Sequence, residues 1–123
     1  MKTVVTEKAP AAIGPYSQAQ IAGNLVFTSG QIGIDPETGL MQEGLEAQAN
    51  QVFKNLSAVL EAAGSGMNKV IRTCVFIKDM NDFAKINEIY AKYFSAPFPA
   101  RSCVEVARLP KDALIECELI AEI

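Results

Sequence analysis

Two stretches of the chain carry apolar residues at three- and four-residue steps. Between them lie short β-branched runs. From Gly44 to Ala63 the apolar positions Leu45, Ala49, Val52, Phe53, Leu56, Val59, Leu60 and Ala63 fall on one stripe, which predicts an amphipathic helix facing a core. Gly64 and Gly66 supply the permissive backbone that ends it. A second helix is predicted from Met80 to Phe94, with Asp79 as N-cap and Phe83, Ile86, Tyr90 and Tyr93 or Phe94 repeating on one face. Pro97 and Pro99 close it off.

The remaining segments read as strands. "KTVVT", "YSQAQIAG" and "NLVFTSGQIGI" open the chain, with Gly23-Asn24 as a turn, and predict an edge strand followed by a hairpin. "APAAIGPY" is an ordered loop, because its prolines cannot donate to a ladder, and "DPETG" is a turn. "VIRTCVFIKD", "ARSCVEVAR" and "ALIECELIAEI" supply three more strands, the last two separated by "LPKD". The order β-β-β-α-β-α-β-β predicts an α+β fold in two layers, a mixed sheet with two helices on one face. The other face is a problem. "TCVFI" is apolar on both sides, and "IECELIAEI" sets Ile115, Cys117, Leu119 and Ala121 against Glu116, Glu118, Ile120 and Glu122. A lone two-layer chain leaves apolar surface uncovered, so self-association is expected.

Composition narrows the chemistry. At 123 residues, half of them apolar, the chain is sized for one domain spanning residues 1–123. Fourteen acids against eleven bases give a net charge of -3, and the bases are scattered, which argues against a nucleic-acid partner. No apolar run is long enough for a membrane span, and "MKTVVTEKAP" has no signal-peptide core; the expected compartment is the cytoplasm. Cys74, Cys103 and Cys117 are odd in number and widely spaced, which reads as reduced thiols rather than a disulfide framework or a metal site. The chain has no histidine, which excludes Ser-His and Cys-His nucleophilic systems and HExxH zinc sites. Catalysis must therefore rest on carboxylates, Arg, Lys, Tyr, Cys or backbone groups.

Arg101 is the odd residue in "FPARSCVEV". By strand alternation it shares the more polar face with Cys103 and Glu105. It serves either as a structural ion pair, with Glu105 as a candidate partner, or as a planar donor fork for an anionic ligand, a carboxylate above all. Glu116 sits between Ile115 and Cys117, either facing solvent or entering a pocket as a proton-transfer group. Tyr16, after Gly-Pro, is either a packing aromatic or a hydrogen-bonding phenol. In "TSGQ", Ser29 and Gly30 either mark a bend at a strand end or open backbone amides to a ligand.

"FPARSCVEVARLPKDALIECE" resembles the C-terminal signature of the reactive intermediate deaminase family, RidA or YjgF-like. "AIGPYSQA", "TSGQIGIDPETG", "QANQVFKNLSAVLEAAG" and "VFIKDMNDFAKINEIY" extend the likeness over nearly the whole chain. Two features depart from the family pattern: Cys117, where Met or Ile usually follows the glutamate, and a short "FSAPFPARS" connection. The resemblance implies a chorismate-mutase-like fold, assembled as a homotrimer around a central β-barrel with pockets between subunits. It implies hydrolysis of 2-imino acids and their enamine tautomers (2-iminobutanoate, 2-iminopropanoate) to 2-keto acids and ammonia, without cofactor or metal. The imines would come from pyridoxal-phosphate dehydratases. Carried over by motif, Arg101 binds the substrate carboxylate and Glu116 handles the attacking water. Tyr16, Ser29, Gly30, Asn87 and Cys103 line the pocket. An imine carbon is already electrophilic, so water addition needs orientation and proton handling more than a covalent nucleophile. The competing readings are a non-catalytic binder or sensor of small carboxylates and a chaperone-like role.

Overall fold

The computed structural model describes residues 1–123. Seven strands and two helices follow the predicted order with one addition. The strands are β1 (Lys2–Val4), β2 (Ala19–Ala22), β3 (Leu25–Thr28), β4 (Gln31–Ile32), β5 (Val70–Ile77), β6 (Ala100–Glu105) and β7 (Ile115–Glu122). The helices are α1 (Leu45–Ala62), between β4 and β5, and α2 (Phe83–Tyr90), between β5 and β6. The sheet runs β1-β2-β3-β7-β5-β6, with β4 continuing along the β7 edge that β3 occupies. Only β5 and β6 pair in parallel, because α2 carries the chain back over the sheet between them; all other pairs are antiparallel.

Both helices lie on one sheet face. The α1 stripe of Val52, Phe53, Leu56, Val59 and Leu60 is fully buried against Val26, Val75, Ile115, Cys117 and Ala121, and α2 adds Ile86 and Ile89. Each such side chain contributes about 1.5–3 kcal/mol by leaving water, so this layer contact dominates the fold. Two buried amides set where α1 sits. Asn55 donates to the carbonyls of Ile32 (3.3 Å) and Ile34 (2.9 Å), while Gln48 accepts from the Leu114 amide at 2.8 Å. Gly33 admits this approach: a Cβ there would stand 2.7 Å from Gln48 Cα. Thus α1 is fastened to β4 and to the entry of β7.

The expected single strand "NLVFTSGQIGI" is broken into β3 and β4. Pairing steps from Phe27↔Ile120 to Gln31↔Cys117, so Thr28, Ser29 and Gly30 stand opposite only Glu118 and Leu119. This is a β-bulge, with one residue more than its partner strand. At the bulge the Thr28 hydroxyl accepts the Leu119 amide at 3.0 Å in place of a backbone carbonyl. The segment Tyr16–Gln18 is likewise loop rather than strand. The second helix is shorter than its periodicity predicts. A 3-10 turn at Met80–Asp82, capped by the Asp79 carboxylate accepting from Asn81 N, precedes it, and Lys92 and Tyr93 revert to three-residue hydrogen bonds after it.

The face away from the helices carries Phe27, Phe76, Val104, Ile120, Glu116 and Glu118, and Phe27 and Val104 are exposed. This is the uncovered apolar face that the sequence predicts.

Candidate active site

A cavity of about 910 Å³ opens on the face away from the helices, and Tyr16, Ser29, Gly30 and Glu116 all line it. The bulge turns Ser29 and Gly30 toward β7. Gly30 lies so close to Glu116 that a Cβ would collide with its carboxylate, 2.9 Å from the carboxyl carbon. Only glycine permits the glutamate to occupy this place. The Ser29 hydroxyl donates to the Ser17 carbonyl at 2.5 Å and its amide to Gln18 O at 2.9 Å, which ties the bulge to the loop carrying Tyr16. Tyr16 is half exposed, and its hydroxyl accepts from Ile13 N at 3.3 Å. Gln18 fixes that loop from beneath. Its buried amide donates to the carbonyls of Pro10 (2.8 Å) and Thr6 (3.0 Å) and accepts from Thr6 N (2.8 Å). The far rim is the turn after Pro110, where Lys111 and Asp112 both hold left-handed backbone, with φ of 56° and 53°.

Arg101, Asn87 and Cys103 form a separate group. Arg101 pairs with Thr73 and Cys103 with Val75 across the parallel ladder, and both partners are buried beneath the helices. The strand face that reads as polar in the sequence therefore packs against α2. Arg101 Nη1 donates to Asn87 Oδ1 at 2.8 Å, and its guanidinium carbon stands 4.7 Å from the Tyr90 ring centre and 5.4 Å from that of Phe83. No carboxylate of the chain pairs with it. The Arg101–Glu105 ion pair weighed from spacing does not form. Glu105 turns to the start of the second helical segment and accepts from Met80 N at 2.9 Å, so the arginine keeps an open Nε–Nη2 edge.

The residues thus assemble as two half-sites, one built around Glu116 and one around Arg101. The family model described as Endoribonuclease L-PSP matches residues 6–123. The chain belongs to that family, the RidA or YjgF-like proteins. Within the family it is 55% identical to the 2-iminobutanoate/2-iminopropanoate deaminase of Salmonella typhimurium, over 98% of this chain and 96% of the relative. Its fold superposes on RidA from an Antarctic Psychrobacter species with a TM-score of 0.97, at 50% identity and full coverage of both chains. It also superposes on Escherichia coli TdcF with bound serine, at a TM-score of 0.96, 47% identity and coverage of 100% and 99%.

In this member of the family, burial pushes the Glu116 carboxyl above the usual carboxylate range, and the like charge of Glu118 pushes the same way. A carboxyl so placed can serve as a proton acceptor or donor. The Cys103 thiol is also raised, by burial first and only partly offset by Arg101. It is therefore a poor nucleophile. No set of Cys, Asp or Glu side chains has metal-holding geometry. Sequence reasoning missed Gln18, whose role is visible only once the loop folds over it, and Lys111, whose strained turn has no glycine to announce it. It placed Phe83 and Tyr90 on one helix face; their places under Arg101 follow from the same helical spacing.

Proposed function

We propose that this chain is a 2-iminobutanoate/2-iminopropanoate deaminase, a hydrolase acting on the C=N bond of reactive 2-imino acids and their enamines. The observation that carries the reading is the pair of unmatched groups: a guanidinium with an open fork and no carboxylate partner, and a carboxyl with raised pKa in a cavity. The fork matches a substrate carboxylate bidentately. Glu116 takes a proton from water as the oxygen bonds to the imine carbon, then returns it to nitrogen. The resulting carbinolamine collapses to the 2-keto acid and ammonia. Tyr16, Ser29 and Gly30 shape the pocket around the water, and Asn87 and Cys103 flank the carboxylate. The mechanism calls for no cofactor.

The two half-sites meet when copies of the chain associate. A homotrimer that buries the open sheet face in a central barrel would set Arg101 of one subunit against Glu116 of the next, in three pockets. The reading takes residues 1–123 as one cytoplasmic domain, working beside the pyridoxal-phosphate dehydratases that release imines. RNA cleavage, which the family's description suggests, is disfavoured by the acidic balance and the three carboxylates Asp35, Glu116 and Glu118 around the cavity. The test is to generate 2-iminobutanoate from threonine with a dehydratase and follow its loss. Faster conversion to 2-oxobutanoate and ammonia with the protein present is expected; an unchanged rate refutes the proposal.

A further inference from the structure

Arginine is a flexible side chain, and an arginine meant to orient a small carboxylate must be held still. Three residues of α2 lie along the stripe under Arg101: Phe83, Asn87 and Tyr90, spaced i, i+4 and i+7, which puts them on one helix face. Asn87 takes one guanidinium N–H, and both rings stand within cation–π range. Of the two, Tyr90 is the firmer. It is buried, its hydroxyl is hydrogen-bonded to Thr73 Oγ1 at 2.8 Å, and its ring meets Phe94 at 4.4 Å between centres and Phe53 edge-on at 5.8 Å. Thr73 is in turn the ladder partner of Arg101. The strand residue beside the arginine therefore fixes the ring beneath it.

We propose that Tyr90 and Phe83 are positioning residues for imine hydrolysis: an aromatic bed that locks the Arg101 guanidinium with its free Nε–Nη2 edge presented to the substrate carboxylate. The inference rests on Arg101 being the carboxylate clamp, and it adds a second requirement. The clamp works only if one helix face holds its plane. Tyr90→Leu removes the ring and Tyr90→Phe keeps it while deleting the hydroxyl. Phe83→Leu alters the more exposed ring, where folding is not at risk.

The experiment measures kcat/KM for 2-iminobutanoate and the affinity for 2-oxobutanoate in each variant, alone and combined with Arg101→Ala. On the strength of a partly desolvated cation–π contact, Tyr90→Leu should weaken keto-acid binding about tenfold and Phe83→Leu about threefold, with Tyr90→Phe, which keeps the ring but frees it from Thr73, between the parent and Tyr90→Leu. Neither loss should recur in the Arg101→Ala background, because the rings act through the guanidinium. A loss of the same size on both backgrounds means the rings serve packing only, and overturns the proposal. Should Tyr90→Leu fail to fold, Phe83→Leu decides alone. An Arg101→Ala protein with parental binding and turnover would refute the clamp itself. An inactive Arg101→Ala protein beside fully active Tyr90→Leu and Phe83→Leu proteins would leave the clamp standing and refute only the bed.

Discussion

Arg101 and Glu116 point to opposite faces of one sheet. Arg101 shares its face with Thr73 and the helices, whereas Glu116 pairs with Phe76 on the uncovered side. Within a single chain the two side chains therefore leave the sheet in opposite directions. If each pocket takes its arginine from one subunit and its glutamate from the next, two inactive variants should complement. Arg101→Ala and Glu116→Gln proteins, unfolded and reassembled together in equal amounts, should regain about a quarter of the parental activity, the chance that a pocket draws both intact residues. Activity no higher than the sum of the separate variants would mean that the pocket is not shared.

The raised Glu116 pKa fixes the sign of two pH effects. The fold favours the protonated carboxyl, so the stability it contributes is present below the unfolded pKa and is lost as pH rises through the folded value. Glu116→Gln abolishes that loss. The variant should melt above the parent at neutral pH and together with it at low pH, as scanning calorimetry at several pH values would record. The same shift places the acid limb of kcat/KM above the ordinary glutamate value of about 4.3. A melting difference independent of pH would show that Glu116 is not desolvated.

Gly30→Ala tests the cradle around the carboxylate. The Gly30 backbone is not in the left-handed region, so alanine fits the chain locally and only the Glu116 carboxylate stands in the way. Folding and assembly should survive while the carboxylate is displaced, and a misplacement of about 1 Å can cost roughly 100-fold in rate. Combined with Glu116→Gln, the alanine should cost little more. Rate and molecular mass measured on the same samples decide it.

How much of this was legible in the sequence depends on the range of the interaction. The α1 stripe and the alternation along β7 were readable, because burial of a single face imposes a period on the residues themselves. The bulge at Thr28–Gly30 was not, since it depends on a hydroxyl replacing a carbonyl across the sheet. Nor was the partner of Arg101. Spacing offered Glu105, two residues away on the same face, but Asn87 reaches the guanidinium from a helix that the β5-α2-β6 crossover sets above it. The motif likeness singled out Arg101 and Glu116 by residue type and position alone. That they face apart became visible only from the register, which sets Arg101 opposite Thr73 and Glu116 opposite Phe76, three residues apart on β5.

Arg101 also distinguishes charge from shape. Lysine at this position keeps the positive charge but offers a compact ammonium in place of a planar fork, and it stacks less well on Tyr90 and Phe83. A clamp that must fix the carboxylate plane, and with it the imine carbon before water, needs the fork. Arg101→Ala should therefore lose activity by at least about 100-fold, and Arg101→Lys should recover little of it. On the clamp reading, both variants should keep the assembly of the parent. A purely structural arginine forecasts the reverse: substitution would weaken folding or assembly, and whatever assembled would turn over normally. Imine hydrolysis and sedimentation measured on the same preparations separate the two, and an assembled Arg101→Ala protein with near-parental turnover would end the clamp hypothesis.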